Sequence, residues 1–144
     1  MKQSPVNEVK ITIPSRSANE SYARVAVAAL AAQLDPTVEE LGDLKTAVSE
    51  AVTNCIVHAY PDTIGPIYIT VRLYPDGVIQ VRIRDKGCGI EDVPKAMEPL
   101  FTTGGEERAG LGFAVMESFS DKLRVRSTKG KGTTVTLEKH IQCR

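Results

Sequence analysis

The hydrophobic positions change period several times along the chain, and each change marks an element. Val9, Ile11 and Ile13 alternate with Lys10 and Thr12, which predicts a strand with one wet face, closed by Pro14. Ser17-Ala18-Asn19-Glu20 has the spacing of a capping box, and the alanine- and leucine-rich stretch 18–34 reads as a first helix. The side of that helix carrying Glu20, Arg24, Ala28 and Ala31 is small or charged, so Arg24 projects from a shallow surface. Two readings of Arg24 stay open: a plain exposed arginine, or a contact point for a partner protein. Asp35-Pro36 breaks the chain, and Thr37-Val38-Glu39-Glu40 offers a second capping box. Leu41, Leu44, Val48, Ala51, Val52, Cys55 and Ala59 then follow the three-and-four spacing of a helix running to about His58.

Past a loop at 61–66 the period returns to two. Ile67, Ile69, Val71 and Leu73 form one apolar face, Pro75-Asp76-Gly77 turns, and Ile79, Val81 and Ile83 form the next, so the pair is a hairpin. Continued one step, the alternation lands Asp85 on the apolar side. Either the strand has ended and Asp85 starts a turn, or a carboxylate is buried there and needs partners. The loop Lys86-Gly87-Cys88-Gly89-Ile90 follows, then a short helix over 93–98 and a long glycine-rich stretch over 99–112 of the kind used as a lid or binding loop. A third helix is expected at 113–119, just after Gly110 and Gly112. Two last strands, around Leu123-Val125 and Val135-Leu137, flank the turn Gly130-Lys131-Gly132. Amphipathic strands with three main helices predict a single α+β domain over residues 1–144. It would be a two-layer sandwich whose mainly antiparallel sheet carries the helices on one face.

Composition narrows the field rather than opening it. Lysine plus arginine equals aspartate plus glutamate, 18 each, so no net field favours nucleic acid or an anionic membrane. No apolar run is long enough to span a bilayer, and the N-terminus lacks the apolar segment of a signal peptide. Three cysteines without CxxC spacing and two histidines make a zinc site improbable and point to a reducing compartment, most simply the cytoplasm. The wet strand faces (Lys10, Arg72, Arg82, Arg84, Arg124, Arg126) are basic and read as solvated surface.

The candidate chemistry lies elsewhere. Glu50 and Asn54 share a stripe at i and i+4 directed away from the core, which on its own is also what a solvated helix face looks like. P-loop, Rossmann, nucleophile-elbow and protein-kinase motifs are all missing. Even so, the pieces describe a nucleotide site. An inward Asp85 could accept a hydrogen bond from an exocyclic amine, and glycines beside it could make room for a flat ring. A helix N-terminus could hold phosphates beneath a lid, and Asn54 could help bind Mg²⁺.

Glu50-x-x-x-Asn54, Asp85-x-Gly87-x-Gly89, Phe101-Thr102-Thr103 with Gly110-x-Gly112, and Gly132-Thr133-Thr134 resemble, in order, the four boxes of the gyrase, Hsp90, histidine-kinase and MutL ATPases. With Ser17-x-Asn19-Glu20-Ser21-x-Ala23-Arg24 and Ser49-Glu50-Ala51-Val52-Thr53-Asn54, nearly the whole chain is similar to the anti-sigma F factors of spore-forming bacteria. That resemblance implies a Bergerat-type ATP-binding fold and a serine kinase that holds a sporulation sigma factor inactive and phosphorylates an anti-anti-sigma protein. It implies ATP and Mg²⁺ as ligands, and a homodimer. Asp85 would bond the adenine amine, with Gly87 and Gly89 shaping the ring pocket and Thr134 supporting it. Asn54 would coordinate Mg²⁺. Thr103 and the amides of Gly110, Leu111 and Gly112 would meet the phosphates, and Arg108 the γ-phosphate. Glu50 would act as general base or orienter for the serine hydroxyl, and Arg24 would contact a partner protein. The chain departs from the pattern at Gly104-Gly105, where the family often has lysine and proline, and at Ala59, where glycine is common.

Three other functions fit parts of the pattern. One is a nucleotide-gated anti-sigma module with little phosphotransfer. The others are a general-stress anti-sigma kinase and the detached ATP-binding domain of a histidine kinase.

Overall fold

A computed structural model describes residues 3–90, 92–96 and 108–141. Its strands are β1 (Asn7–Pro14), β2 (Pro66–Leu73), β3 (Val78–Asp85), β4 (Lys122–Thr128) and β5 (Gly132–His140). They form one sheet in the order β1-β2-β3-β5-β4, every pairing antiparallel. The helices are α1 (Asn19–Ala31), α2 (Val38–Asn54), α3 (Val93–Ala96) and α4 (Arg108–Ser118). The architecture is the α+β sandwich that the alternation predicts.

Register aligns the apolar positions into rows across the sheet. Val9, Val71, Val81, Leu137 and Leu123 make one row, and Ile11, Ile69, Ile83, Val135 and Val125 the next. The central members of both rows are fully buried beneath Ala23, Val27 and Ala31 of α1 and Leu44, Val48 and Val52 of α2. A one-residue slip in any strand would turn its apolar set to water, which is why the register is unambiguous. A third row, Ile13, Ile67 and Asp85, replaces hydrocarbon with a carboxylate at the centre of the sheet. On the opposite, open face Arg82, Arg84, Arg124 and Arg126 are exposed, as expected of a solvated surface.

The ends of the helices depart from expectation at four places. Ser17 does not cap α1: Ala18 occupies the N-cap without a side-chain bond, and Ser17 contributes only its carbonyl, to Glu20 N at 3.2 Å. The tight turn after Pro14 uses the neighbouring Asn19 amide instead, which donates to Pro14 O at 3.0 Å. Ala31, expected on the shallow surface, is fully buried. Beyond Asn54, α2 widens into a π-helical turn, Cys55–Ala59. The helix expected from residue 113 begins five residues earlier, at Arg108. Each glycine costs about 1 kcal/mol in a helix interior, and burial of Phe113 and Met116 with α4 packed on α2 outweighs that.

The Thr37 capping box does form, with Glu40 N donating to Thr37 Oγ1 at 3.0 Å and Thr37 N to Glu40 Oε1 at 2.9 Å. Thr37→Ala is therefore expected to destabilise the protein by about 1 kcal/mol in urea titrations. Ser17→Ala should stay within about 0.5 kcal/mol, because no side-chain cap is lost there. Equal losses at the two positions would contradict this assignment of the caps.

Candidate functional site

The polar end of the sheet is built around Asp85, which is 5% exposed. β3 delivers it to the buried face because Val81 and Ile83 precede it at the same parity. Its Oδ1 accepts from Gly87 N at 2.9 Å and from Thr133 N at 3.2 Å, and its Oδ2 accepts from Cys55 Sγ at 3.5 Å. Burial pushes the Asp85 carboxyl above the ordinary aspartate range, against the opposing pull of these three donors. Burial and the adjacent carboxylate push the Cys55 thiol well up, so it stays protonated and able to donate.

A hydroxyl network continues the row. Thr133 Oγ1 lies 2.7 Å from Ser127 Oγ, which accepts from Ile90 N at 2.7 Å and reaches Gly132 O at 3.0 Å. From below, the buried Tyr60 hydroxyl accepts from Lys86 N at 2.6 Å and donates to Pro66 O at 2.7 Å, tying the end of β3 to the start of β2.

The glycines here let main chain approach main chain. A Cβ on Gly87 would lie 2.3 Å from Ala59 O, and one on Gly89 would lie 2.2 Å from Thr128 O. Gly89 also has φ +75°, and Gly132, at φ +125°, would place a Cβ 2.2 Å from Asp85 O. The room is taken by neighbouring main chain, which draws the π turn, the Gly87–Gly89 loop and the β4–β5 turn onto Asp85. Cys88 N to Ala59 O and Gly130 N to Cys88 O, at 3.2 and 2.7 Å, close that contact.

The Thr134 side chain points away from the Asp85 carboxylate. Strand parity puts Thr133, Val135 and Leu137 inward, so Thr134 faces the open side, between Arg84 and Arg126 in register. There it lines a shallow cavity of about 200 Å³ with Arg84, Arg126 and Lys131, which Asp85 and Thr133 also border. It is Thr133 whose amide bonds Asp85, and extending the alternation back from Val135 would have found that inward position. Ser127, reached from Leu123 and Val125, was legible in the same way. Cys55 was not, because a thiol at a buried helix position reads as hydrocarbon.

Asn54 also differs from its expected solvated position. Both polar atoms of its side chain are shut off from solvent, and neither has a hydrogen-bond partner among the described residues. Leaving a buried amide without a partner costs about 1–3 kcal/mol, so an oxygen donor held this way fits a ligand such as Mg²⁺. Glu50, one turn earlier, is half-buried. Arg24 is paired on α1, its Nε 3.1 Å from Glu20 Oε2, while Tyr22 and Val25 on the same helix are exposed. With α4 beginning at Arg108, the free amides of its first turn run up to Gly110, and those of Leu111 and Gly112 enter the helical ladder. Thr103 and the side chains of Arg108 and Leu111 lie outside the described residues.

Residues 13–139 match the family model described as a histidine kinase-like ATPase domain. A protein named anti-sigma F factor from Caldanaerobacter subterraneus subsp. tengcongensis is 58% identical over 137 residues, with 94% of each chain covered. One of the same name from Priestia megaterium is 50% identical, covering 94% of this chain and 93% of its own. The chain belongs to the anti-sigma F factor family of histidine kinase-like ATPase domains. Among solved structures, the RsbU and RsbW domains of a Mycobacterium tuberculosis protein superpose with a TM-score of 0.70 at 22% identity, covering 95% of this chain and 32% of that one. That likeness concerns the fold. Among the described residues no helix is long and apolar enough to cross a membrane.

The raised Asp85 carboxyl fixes the sign of a pH effect in this anti-sigma F factor relative. The folded chain holds that proton more readily than the unfolded one, so Asp85 favours folding when protonated and its contribution is lost as pH rises above the ordinary carboxylate range. Asp85→Asn keeps an oxygen for Gly87 N and Thr133 N without the buried charge. Its apo melting temperature at pH 7 should therefore equal or exceed that of the parent, with the difference shrinking on acidification. A large loss of apo stability at pH 7 would show that the charge itself holds the fold.

Proposed function

We propose that this protein is an ATP-dependent serine kinase that also binds and inhibits an RNA polymerase sigma factor of the sporulation type, and that its phosphoacceptor is an anti-anti-sigma protein. The observation that carries the reading is the Asp85 carboxylate, buried and held by three donors at the mouth of two glycine loops. It stands in a chain that shares half or more of its residues with proteins named anti-sigma F factor.

Each residue then has one task. Asp85 accepts the exocyclic amine of adenine, which selects the base. Asn54 supplies the oxygen for Mg²⁺, which when bound neutralises phosphate charge. The opening turn of α4 directs its free amides and positive dipole end at the phosphates. Glu50, on the same helix as Asn54, orients the serine hydroxyl and takes its proton as the oxygen attacks the γ-phosphorus, while the bond from that phosphorus to the β–γ bridging oxygen breaks and ADP leaves with its electron pair. Arg108 stabilises the charge spreading over the transferred phosphoryl group. Helix α1, with Arg24 and the exposed Tyr22 and Val25, is the partner-binding surface. The protein acts as a homodimer in the cytoplasm.

The test is transfer from γ-labelled ATP and Mg²⁺ to an anti-anti-sigma protein. Acid-stable label on a serine of the partner is the expected result. Glu50→Gln should abolish transfer while sparing ATP binding, and normal transfer by that variant would remove Glu50 from the chemistry. Asp85→Asn should weaken ATP about ten- to a hundredfold by calorimetry, the equivalent of a charge-assisted bond of roughly 1.5–3 kcal/mol. Unaltered affinity would place the base elsewhere.

A further inference from the structure

We infer that Cys55 is a positioning residue for nucleotide selection: its thiol fixes the Asp85 carboxylate in the orientation that receives the base. This rests on the reading of Asp85 as the adenine acceptor.

Three observations carry it. The two main-chain donors, Gly87 N and Thr133 N, both fall on Oδ1, so among the described residues the Cys55 thiol is the donor to Oδ2. The carboxylate turns about its Cβ–Cγ bond, which carries both oxygens, and a contact on Oδ2 adds to the two on Oδ1 in fixing that angle. Both side chains are shielded from water, Cys55 at 4% and Asp85 at 5% exposure, so solvent does not substitute for the thiol. Finally, Cys55 opens the π-helical turn, and Ala59 closes it with a carbonyl that accepts from Cys88 N. One five-residue turn therefore touches both the carboxylate and the glycine loop beside it, and π turns recur where a helix must re-aim side chains at a functional site.

The chemistry of a thiol suits this task. An ionised carboxylate oxygen has two lone pairs, and a single weak S–H donor occupies one while withdrawing little charge from the other. Oδ2 thus stays a strong acceptor for an amine. The raised thiol pKa keeps the proton on sulfur across the neutral range.

The experiment compares ATP with purine riboside triphosphate, which lacks the 6-amine, by calorimetry on the full chain and three variants. Cys55→Ala should weaken ATP about three- to tenfold. It should leave the amine-free analogue within about twofold, because that ligand makes no bond to Asp85. Cys55→Ser should restore most of the ATP affinity. Equal weakening of both nucleotides by Cys55→Ala would reduce Cys55 to a packing residue, and undiminished ATP affinity would remove it altogether. Asp85→Asn separates the two levels. If it weakens ATP while Cys55→Ala does not, this inference fails alone; if it too leaves ATP unchanged, the base-site reading fails and takes the inference with it.

Discussion

The Asp85 carboxylate sits where the inner face of the sheet would otherwise continue as hydrocarbon, and its charge has to be met by donors from three separate segments. Those donors are the thiol at the end of α2, the amide of Gly87 just beyond β3 and the amide of Thr133 in β5. Because the segments are remote in sequence, the hydrogen bonds to this one side chain tie the last helical turn, the glycine loop and the final hairpin together. Burial still pushes the carboxyl above the ordinary aspartate range against these donors.

Close approach of main chain is the second requirement, and glycine is how the sequence meets it. Gly87, Gly89 and Gly132 each stand where a methyl group would collide with a carbonyl of another segment. Their role is first structural: they bring the backbone of the π turn and the β4–β5 turn against the Asp85 loop. The region that results has a floor of β strands and a polar rim of Thr133 and Ser127, with the Cys55 end of the helix against it. The two polar atoms of the Asn54 side chain are shut off from solvent and lack a hydrogen-bond partner among the described residues.

Much of this was legible because strands and helices impose fixed periods on side-chain direction. The period of two gave the hairpins, the sandwich and the inward Asp85. Applied one strand further, it also separates the inward Thr133 from the outward Thr134. Local chemistry was less reliable at the helix ends. Ser17 and Thr37 carry the same capping pattern, yet Thr37 caps and Ser17 does not, because helix α1 takes Ala18 as its N-cap. The π turn and the Cys55 thiol bond were not legible, since both arise from tertiary packing at a position that reads as core. The early start of α4 likewise reflects packing on α2 against a glycine-rich sequence.

The most direct test is a crystal structure of the protein with Mg²⁺ and a non-hydrolysable ATP analogue. The account predicts the adenine amine within hydrogen-bond distance of Asp85 Oδ2, with Cys55 Sγ still on that oxygen and Asn54 Oδ1 on the metal. Adenine bound away from Asp85, or an Asn54 amide still without a partner in the loaded site, would contradict it.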